Sequence, residues 1–321
     1  MKPECSLNSH QVCLALGVHF KTLSHDGYFN SLKTMRSKLF VPASRPELFL
    51  KALAGQADAI SFDLEDAVEA SQKHLARDKL KSFLQSIKSA LPAKLLIVRV
   101  NSLKTSFFAA DIDAVVCSTL NVLNLPMVES ADEVRYVANE LTKLEAERDI
   151  KTQIRILANI ESPRGLRLAS DIACSDTRLM GLQVGFGDLL SPLSIDPTDL
   201  LAIHSVLMSV RLAAGEASID AFDGAYPNIS DTKGFERSAI QASRLGYRGK
   251  SCIHPCQVDL ANRTFRPSQA DIEHSLRVVE MAEKKLADGV GAFVVDGKLL
   301  DGPLIVKAQT ILMQARSLNL I

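Results

Sequence analysis

The sequence predicts an α/β protein built on a closed (β/α)8 TIM barrel with a C-terminal helix-and-hairpin tail, and three observations carry that prediction. Eight short apolar runs recur along the 321 residues, longer amphipathic stretches separate them, and no G-x-G-x-x-G follows the first run. The runs fall at 38–42, 57–64, 95–100, 122–128, 154–160, 179–184, 217–221 and 250–254. They are brief, continuously apolar and often β-branched, as strands buried on both faces are. An open doubly wound sheet would also take eight strands, but the nearest match to its phosphate loop, Gly185-Phe186-Gly187, lacks the third glycine. Asp188 follows directly, a poor neighbour for a pyrophosphate.

Helical periodicity fills the gaps. Apolar residues at three- and four-residue spacing mark 45–54, 74–90, 131–147, 163–173, 200–214 and 232–245. Ser130, and Ser162 before Pro163, are N-cap candidates, while Gly55, Gly215 and Gly246 stand where helices should stop. Past the eighth run come a long helix at 269–287, a hairpin at 291–300 turning at Asp296-Gly297, and a last helix at 303–316. The expected organisation is an N-terminal extension (1–35) with no readable pattern, a barrel (36–265) and a tail (266–321).

Composition narrows the function. The 37 basic and 37 acidic residues balance, and no basic cluster offers the positive footprint nucleic acid requires. No apolar run approaches the roughly 20 residues that span a bilayer. Residues 11–20 are apolar but have neither a basic n-region nor a small-residue cleavage site, so they do not read as a signal peptide. Six cysteines without a CxxC pair suit reduced thiols, and a cytoplasmic location is expected. Cys252-Ile253-His254-Pro255-Cys256 raises the question of zinc, but a structural zinc site wants a second ligand pair and the sequence has none. Buried strand-end thiols are the expectation there.

In such a barrel the reacting residues come from the C-terminal ends of the strands. Those ends carry Asp63, Glu65 and Asp66, then Arg99 and Asn101, then Glu161, Asp188, Asp220 and His254. Charge that closes an apolar strand is costly unless it is paired or bound to a metal. Here it recurs strand after strand, and mostly as acid. Two carboxylates on neighbouring strands suit a hard cation that keeps waters for a substrate to displace. Glu161 and Asp188 fit best, because each directly ends a clean run, and Gly185 and Gly187 would permit close approach. Any one of these acids by itself reads as a helix cap or a rim salt bridge; Arg99, Glu161 and Asp188 together read as a site.

The strand-end residues sit in blocks that carry a resemblance. Leu39-Phe40-Val41-Pro42-Ala43-Ser44-Arg45-Pro46-Glu47, Asp63-Leu64-Glu65-Asp66-Ala67-Val68, Val98-Arg99-Val100-Asn101, Ile160-Glu161-Ser162-Pro163-Arg164-Gly165, Gly187-Asp188-Leu189, Cys252-Ile253-His254-Pro255 and Asp301-Gly302-Pro303 occur in that order over about 36–316. Together they resemble the citrate lyase β-subunit-like family of the HpcH/HpaI aldolase group, which includes malyl-CoA and citramalyl-CoA lyases. The resemblance implies a (β/α)8 barrel, a trimer or hexamer, and a tail that closes over a neighbour's site. It implies Mg²⁺ on Glu161 and Asp188, and Arg99 on the carboxylate of the oxo-acid half, with Asp301 the acid/base delivered from an adjacent subunit. Asp63, Glu65 and Asp66 would orient Arg99 and the metal's waters, and Arg45, with Lys51 behind it, would meet coenzyme A phosphates. Met127 departs from the lysine frequent after Leu-Pro, and Ser162 from a threonine. Without the resemblance, Asp301 reads as the cap of the last helix, before Gly302-Pro303.

The implied reaction is cleavage of a 3-hydroxyacyl-CoA, such as (S)-citramalyl-CoA to acetyl-CoA and pyruvate or malyl-CoA to acetyl-CoA and glyoxylate. Two alternatives stay open: a citrate lyase β subunit working on a carrier-bound citryl thioester, and a non-catalytic barrel serving as an assembly or regulatory partner.

Overall fold

Alternation along each strand decides which side chains face the helices and which fill the lumen. In the computed structural model, which describes residues 34–87, 94–287 and 291–321, eight strands form a closed barrel. They are β1 (Ser37–Pro42), β2 (Ala59–Asp63), β3 (Leu95–Arg99), β4 (Val122–Leu125), β5 (Arg155–Ile160), β6 (Leu179–Val184), β7 (Asp220–Asp223) and β8 (Gly249–Cys252). Each pairs in parallel with the next, and β1 closes on β8. Outward residues such as Ile60, Phe62, Leu96, Val98, Ile156 and Ile160 join one apolar core with the surrounding helices. Phe62 shows how a strand holds its helices: its ring lies 4.9 Å from Phe49 on helix Phe49–Ala54 and 5.6 Å from Phe83 on helix Lys73–Ser86. Burying one such ring contributes about 1.5–3 kcal/mol.

Local signals act as expected at several ends. Ser130 accepts the Glu133 N–H at the start of helix Ala131–Glu147, and Ser162 accepts the Gly165 N–H with Pro163 in the first turn. Gly246, at φ +84°, takes the left-handed turn after helix Thr232–Arg244. Other expectations fail. Gly215 does not stop its helix, which runs Leu200–Glu216 and ends on Ala217, with Ser218 at φ +58°. The apolar start of the seventh run is therefore a helix end, and β7 begins only at Asp220. The stretch 163–173 breaks at Leu168 into Pro163–Arg167 and Ala169–Ala173. Helices Phe108–Val115 and Val258–Thr264, unread in the sequence, follow β3 and β8. Positions 88–90 of the second expected helix, and 1–33 of the N-terminal extension, lie outside the described residues.

Residues 35–265 form one compact unit and 266–321 belong to another. In the second, helix Gln269–Ala287, hairpin β9–β10 (Phe293–Val295 and Lys298–Leu300) and helix Gly302–Ser317 share a core of Val278, Ala282, Phe293, Val295, Leu300, Ile305 and Ala308. The hairpin turns on Asp296 at φ +50° and Gly297 at φ +76°, both positive as a two-residue turn of the favoured kind requires. No helix among the described residues is long and apolar enough to cross a membrane.

Candidate active site

The carboxyl ends of β2, β3, β5 and β6 bring together the charges picked out from the sequence. Asp63, buried at the end of β2, takes the Arg99 fork from β3 on both oxygens, Nε to Oδ1 at 2.8 Å and an Nη to Oδ2 at 2.7 Å. The same Asp63 oxygens accept the Glu65 and Ala67 N–H groups, so the carboxylate is saturated and the loop after β2 is folded around it. Lys73, donating to the Leu64 and Glu65 carbonyls, pins that loop from behind. The other Arg99 Nη lies 2.7 Å from Glu65 and 3.2 Å from exposed Asp66. Glu65 Oε2 is close enough to pair but off the N–H direction, and it has no aligned donor among the described residues. Burial opposes the charge on Arg99, yet the bonds and attraction from Asp63, then Glu65 and Asp66, outweigh it and hold the guanidinium protonated. Burial pushes the Glu65 carboxyl up to about 8, with Asp66, Glu161 and Asp63 adding to the shift against Arg99.

Glu161 follows β5 and is buried. One oxygen accepts Asn159 Nδ2 at 3.0 Å and the other the Met127 backbone N–H at 2.9 Å. Met127 sits at φ +52°, a left-handed backbone that turns its N–H to this carboxylate. Met127, the departure from the lysine frequent after Leu-Pro, thus contributes through its backbone N–H and not through its side chain. A Cβ at Gly185, on the next strand end, would collide with the Glu161 carboxylate, so close approach there demands glycine; Gly187 has open space. Asp188 lies in the first turn of helix Phe186–Leu190. Both acids are raised: Glu161 by burial, with Asp188 adding to it, and Asp188 by partial desolvation and then Asp66.

Several strand-end candidates fall outside this cluster. Asp220 begins β7 rather than ending it, at the opposite rim, where it pairs with Arg248 at 3.1 Å. The acid that closes β7, Asp223, points outward to Lys250 at 2.5 Å, both side chains buried. Asn101 is spent on structure, bonding the Leu64 carbonyl and Asp111, which also holds Arg77. His254 caps the turn Pro255–Gln257 by accepting the Cys256 N–H, and Cys256 is exposed, so only Cys252 is a buried strand-end thiol. Among the described residues no cluster of three or more His, Cys, Asp or Glu residues is placed to hold a metal. Arg45 and Lys51 are exposed, Arg45 paired with Glu47. In the second unit, exposed Asp301 precedes helix Gly302–Ser317, but its side chain makes no cap bond; its carbonyl accepts the Leu304 and Ile305 N–H groups instead.

Sequence reading missed three polar residues in the lumen. Lys38 on β1, Asn124 on β4 and Asn159 on β5 are all buried, and Lys38 Nζ reaches Asn124 Oδ1 at 2.8 Å. The signal was present as Asn159-x-Glu161, two polar residues on one face of a strand.

Residues 36–255 match the family described as HpcH/HpaI aldolase/citrate lyase. The chain belongs to that family. It is 34% identical over 289 residues to the citrate lyase subunit beta of Haemophilus influenzae, covering 89% of this chain and 98% of that one. It is also 34% identical over 284 residues to a (3S)-malyl-CoA thioesterase of Cereibacter sphaeroides, covering 88% and 95%. Among solved structures, CitE from Mycobacterium tuberculosis in complex with magnesium, acetoacetate and coenzyme A superposes with a TM-score of 0.70 at 29% identity, covering 88% of this chain and 98% of CitE.

Proposed function

We propose that this protein is a Mg²⁺-dependent carbon–carbon lyase that cleaves a 3-hydroxyacyl-CoA, with citramalyl-CoA or malyl-CoA as substrate and acetyl-CoA plus pyruvate or glyoxylate as products. The observation that carries the reading is the gathering of acids at the carboxyl rim: Asp63, Glu65, Asp66, Glu161 and Asp188 lie about the guanidinium of Arg99. Glu161 and Asp188 fit a hard cation. Among the described residues each Glu161 oxygen accepts one hydrogen bond, which leaves a lone pair for a metal. Two carboxylates without nitrogen or sulfur partners suit an ion that retains several waters, and do not suit zinc. When bound, Mg²⁺ supplies electrophilic stabilisation of the substrate's alkoxide oxygen and carboxylate.

This chain's own residues do the rest. Arg99, held rigid by Asp63, offers its remaining N–H edge to the carboxylate of the oxo-acid half. A rim carboxylate takes the hydroxyl proton, the oxygen's pair closes to the carbonyl of the oxo acid as the carbon–carbon pair moves onto the acetyl thioester as an enolate, and the enolate carbon takes a proton from an acid. We assign that acid to Asp301, carried on the 266–321 unit as a lid over a neighbouring subunit of a trimer or hexamer. Its exposed carboxyl, which caps no helix among the described residues, supports the assignment. Exposed Arg45 and Lys51 suit the phosphates of coenzyme A.

The relatives' names favour two further readings, a citrate lyase β subunit acting on a citryl thioester and a thioester hydrolase. One assay separates all three. Purified protein with Mg²⁺ is given each thioester, and acetyl-CoA, oxo acid and free coenzyme A are followed, with chelator as control. Acetyl-CoA with pyruvate or glyoxylate supports the lyase. Free coenzyme A with the hydroxy acid marks hydrolysis, turnover only of carrier-bound citryl groups marks the β subunit, and no turnover of any thioester defeats all three. Within the lyase reading, Asp301→Asn should lose at least about a hundredfold in kcat while Mg²⁺ affinity and KM hold, because the residue acts on the developing enolate. Mixing Asp301→Asn with Arg99→Ala subunits should restore activity; an active Asp301→Asn enzyme removes the assignment.

A further inference from the structure

Beneath the rim the lumen holds a lysine that the proposed chemistry does not use. Lys38 Nζ crosses from β1 to Asn124 Oδ1 on β4 at 2.8 Å, passing 4.3 Å from the centre of the Phe40 ring. From there the donors all point one way. Asn124 Nδ2 gives to Asn159 Oδ1 at 2.7 Å and to the Leu157 carbonyl at 3.1 Å, and Asn159 Nδ2 gives to Glu161 Oε1 at 3.0 Å. Chemistry fixes this direction whatever way an amide is drawn. The Leu157 carbonyl can only accept and the lysine is the donor, so Asn124 must turn its oxygen to Lys38 and its nitrogen inward. Asn159 then turns its oxygen to Asn124 and its N–H to the carboxylate.

We infer that Lys38 is a positioning residue for Glu161, holding the Asn124–Asn159 chain in the orientation that presents an amide N–H to the carboxylate. The inference rests on Glu161 being a metal ligand. Lys38 is the one donor that meets Asn124 Oδ1 among the described residues. An apolar side chain would fill its space without the desolvation that a buried amine suffers, and would leave that oxygen unpaired in the lumen. Asn124 would then swing toward another donor and withdraw from Asn159. The carboxylate would lose the contact that orients one of its oxygens, and outer contacts of this kind set metal affinity.

The test is Mg²⁺ titration by calorimetry into wild type, Lys38→Met, Asn159→Ala, the double variant and Asp188→Ala, with melting curves alongside. Lys38→Met and Asn159→Ala should each weaken Mg²⁺ binding about tenfold or more. The double variant should bind no worse than Asn159→Ala, because both act through one chain. A lysine that merely stabilises the barrel would lower the melting temperature and leave Mg²⁺ affinity alone. Wild-type affinity in Lys38→Met, or losses that add in the double variant, overturns the inference. Should Lys38→Met not fold, Asn124→Leu cuts the same chain, and wild-type affinity there overturns it equally. Asp188→Ala keeps the two ideas apart: if it binds Mg²⁺ normally, the metal site itself is wrong, whereas its loss beside an unaffected Lys38→Met defeats only the role of Lys38.

Discussion

Two arginines, one buried and one nearly so, hold carboxylates at opposite rims of the barrel, and they are finished differently. Arg178, just before β6 at the amino rim, grips both oxygens of Glu145 at 2.8 and 2.7 Å. Its spare N–H groups go to the Thr142 hydroxyl at 2.9 Å and the Ile154 carbonyl at 3.1 Å. One charge meets one charge and every donor named is used. Arg99, at the carboxyl rim, meets Asp63 in the same fork but also Glu65 and Asp66, and feels Glu161 and Asp188 beyond them. That rim gathers more acids than arginines, and burial, with Asp66, Glu161 and Asp63 adding to it against Arg99, raises the Glu65 carboxyl to about 8. A pair with every donor used is a solution to folding; a pair crowded by further acids is what the proposed cation and anionic substrate would need.

If the two sites differ in this way, their variants should separate cleanly. Arg178→Leu strands Glu145 in the interior and should cost about 3–5 kcal/mol of stability. At roughly 2–4 °C per kcal/mol for a domain of this size, the melting temperature should drop by about 10 °C while kcat stays within about twofold. Arg99→Lys keeps the charge and loses the fork, so kcat/KM should fall at least about tenfold, equivalent to about 1.4 kcal/mol, with little change in melting. Should Arg99→Lys melt early and turn over normally, Arg99 is a second Arg178 and the contrast collapses.

The smallest effect is a pH slope. In metal-free protein the folded Glu65 keeps its proton up to about 8, whereas the ordinary carboxyl value is 4.5. Across that window the unfolded chain has released a proton that the native state still holds, so stability falls as pH rises from about 5 to 8. Glu65→Gln cannot titrate, and its melting temperature should gain on wild type by a few degrees across the same interval. Lys38 works in the opposite sense, since burial holds its amine well below the ordinary lysine range. The difference between wild type and Glu65→Gln cancels that background, and parallel curves would show that Glu65 carries no excess.

Much of this was readable in the chain. Runs such as 95–100 and 179–184 meet β3 and β6 nearly residue for residue, because a strand buried on both faces leaves a continuous apolar signature. Asp63, Arg99, Glu161 and Asp188 announced themselves as charges ending such runs. The misreading at 217–221 has an equally local cause: a buried helix end and a strand start are both short and apolar, and periodicity cannot divide them. Asp220 reads as a strand end on that account, while nothing along the chain marks Asp223.

Sequence by itself determined the number of barrel strands, the family, and, Asp220 apart, the acids and the arginine that gather at one rim, since each depends on neighbours a few positions apart. Tertiary structure decided partners and charge states. Lys38 and Asn124 are 86 residues apart and meet only because the sheet closes and brings β1 across the lumen to β4. Glu65 and Glu161 depart from ordinary carboxyls because closure removes water from them. Pattern along a chain records the faces that strands and helices present; desolvation and cross-lumen hydrogen bonds exist only once those faces have closed around one another.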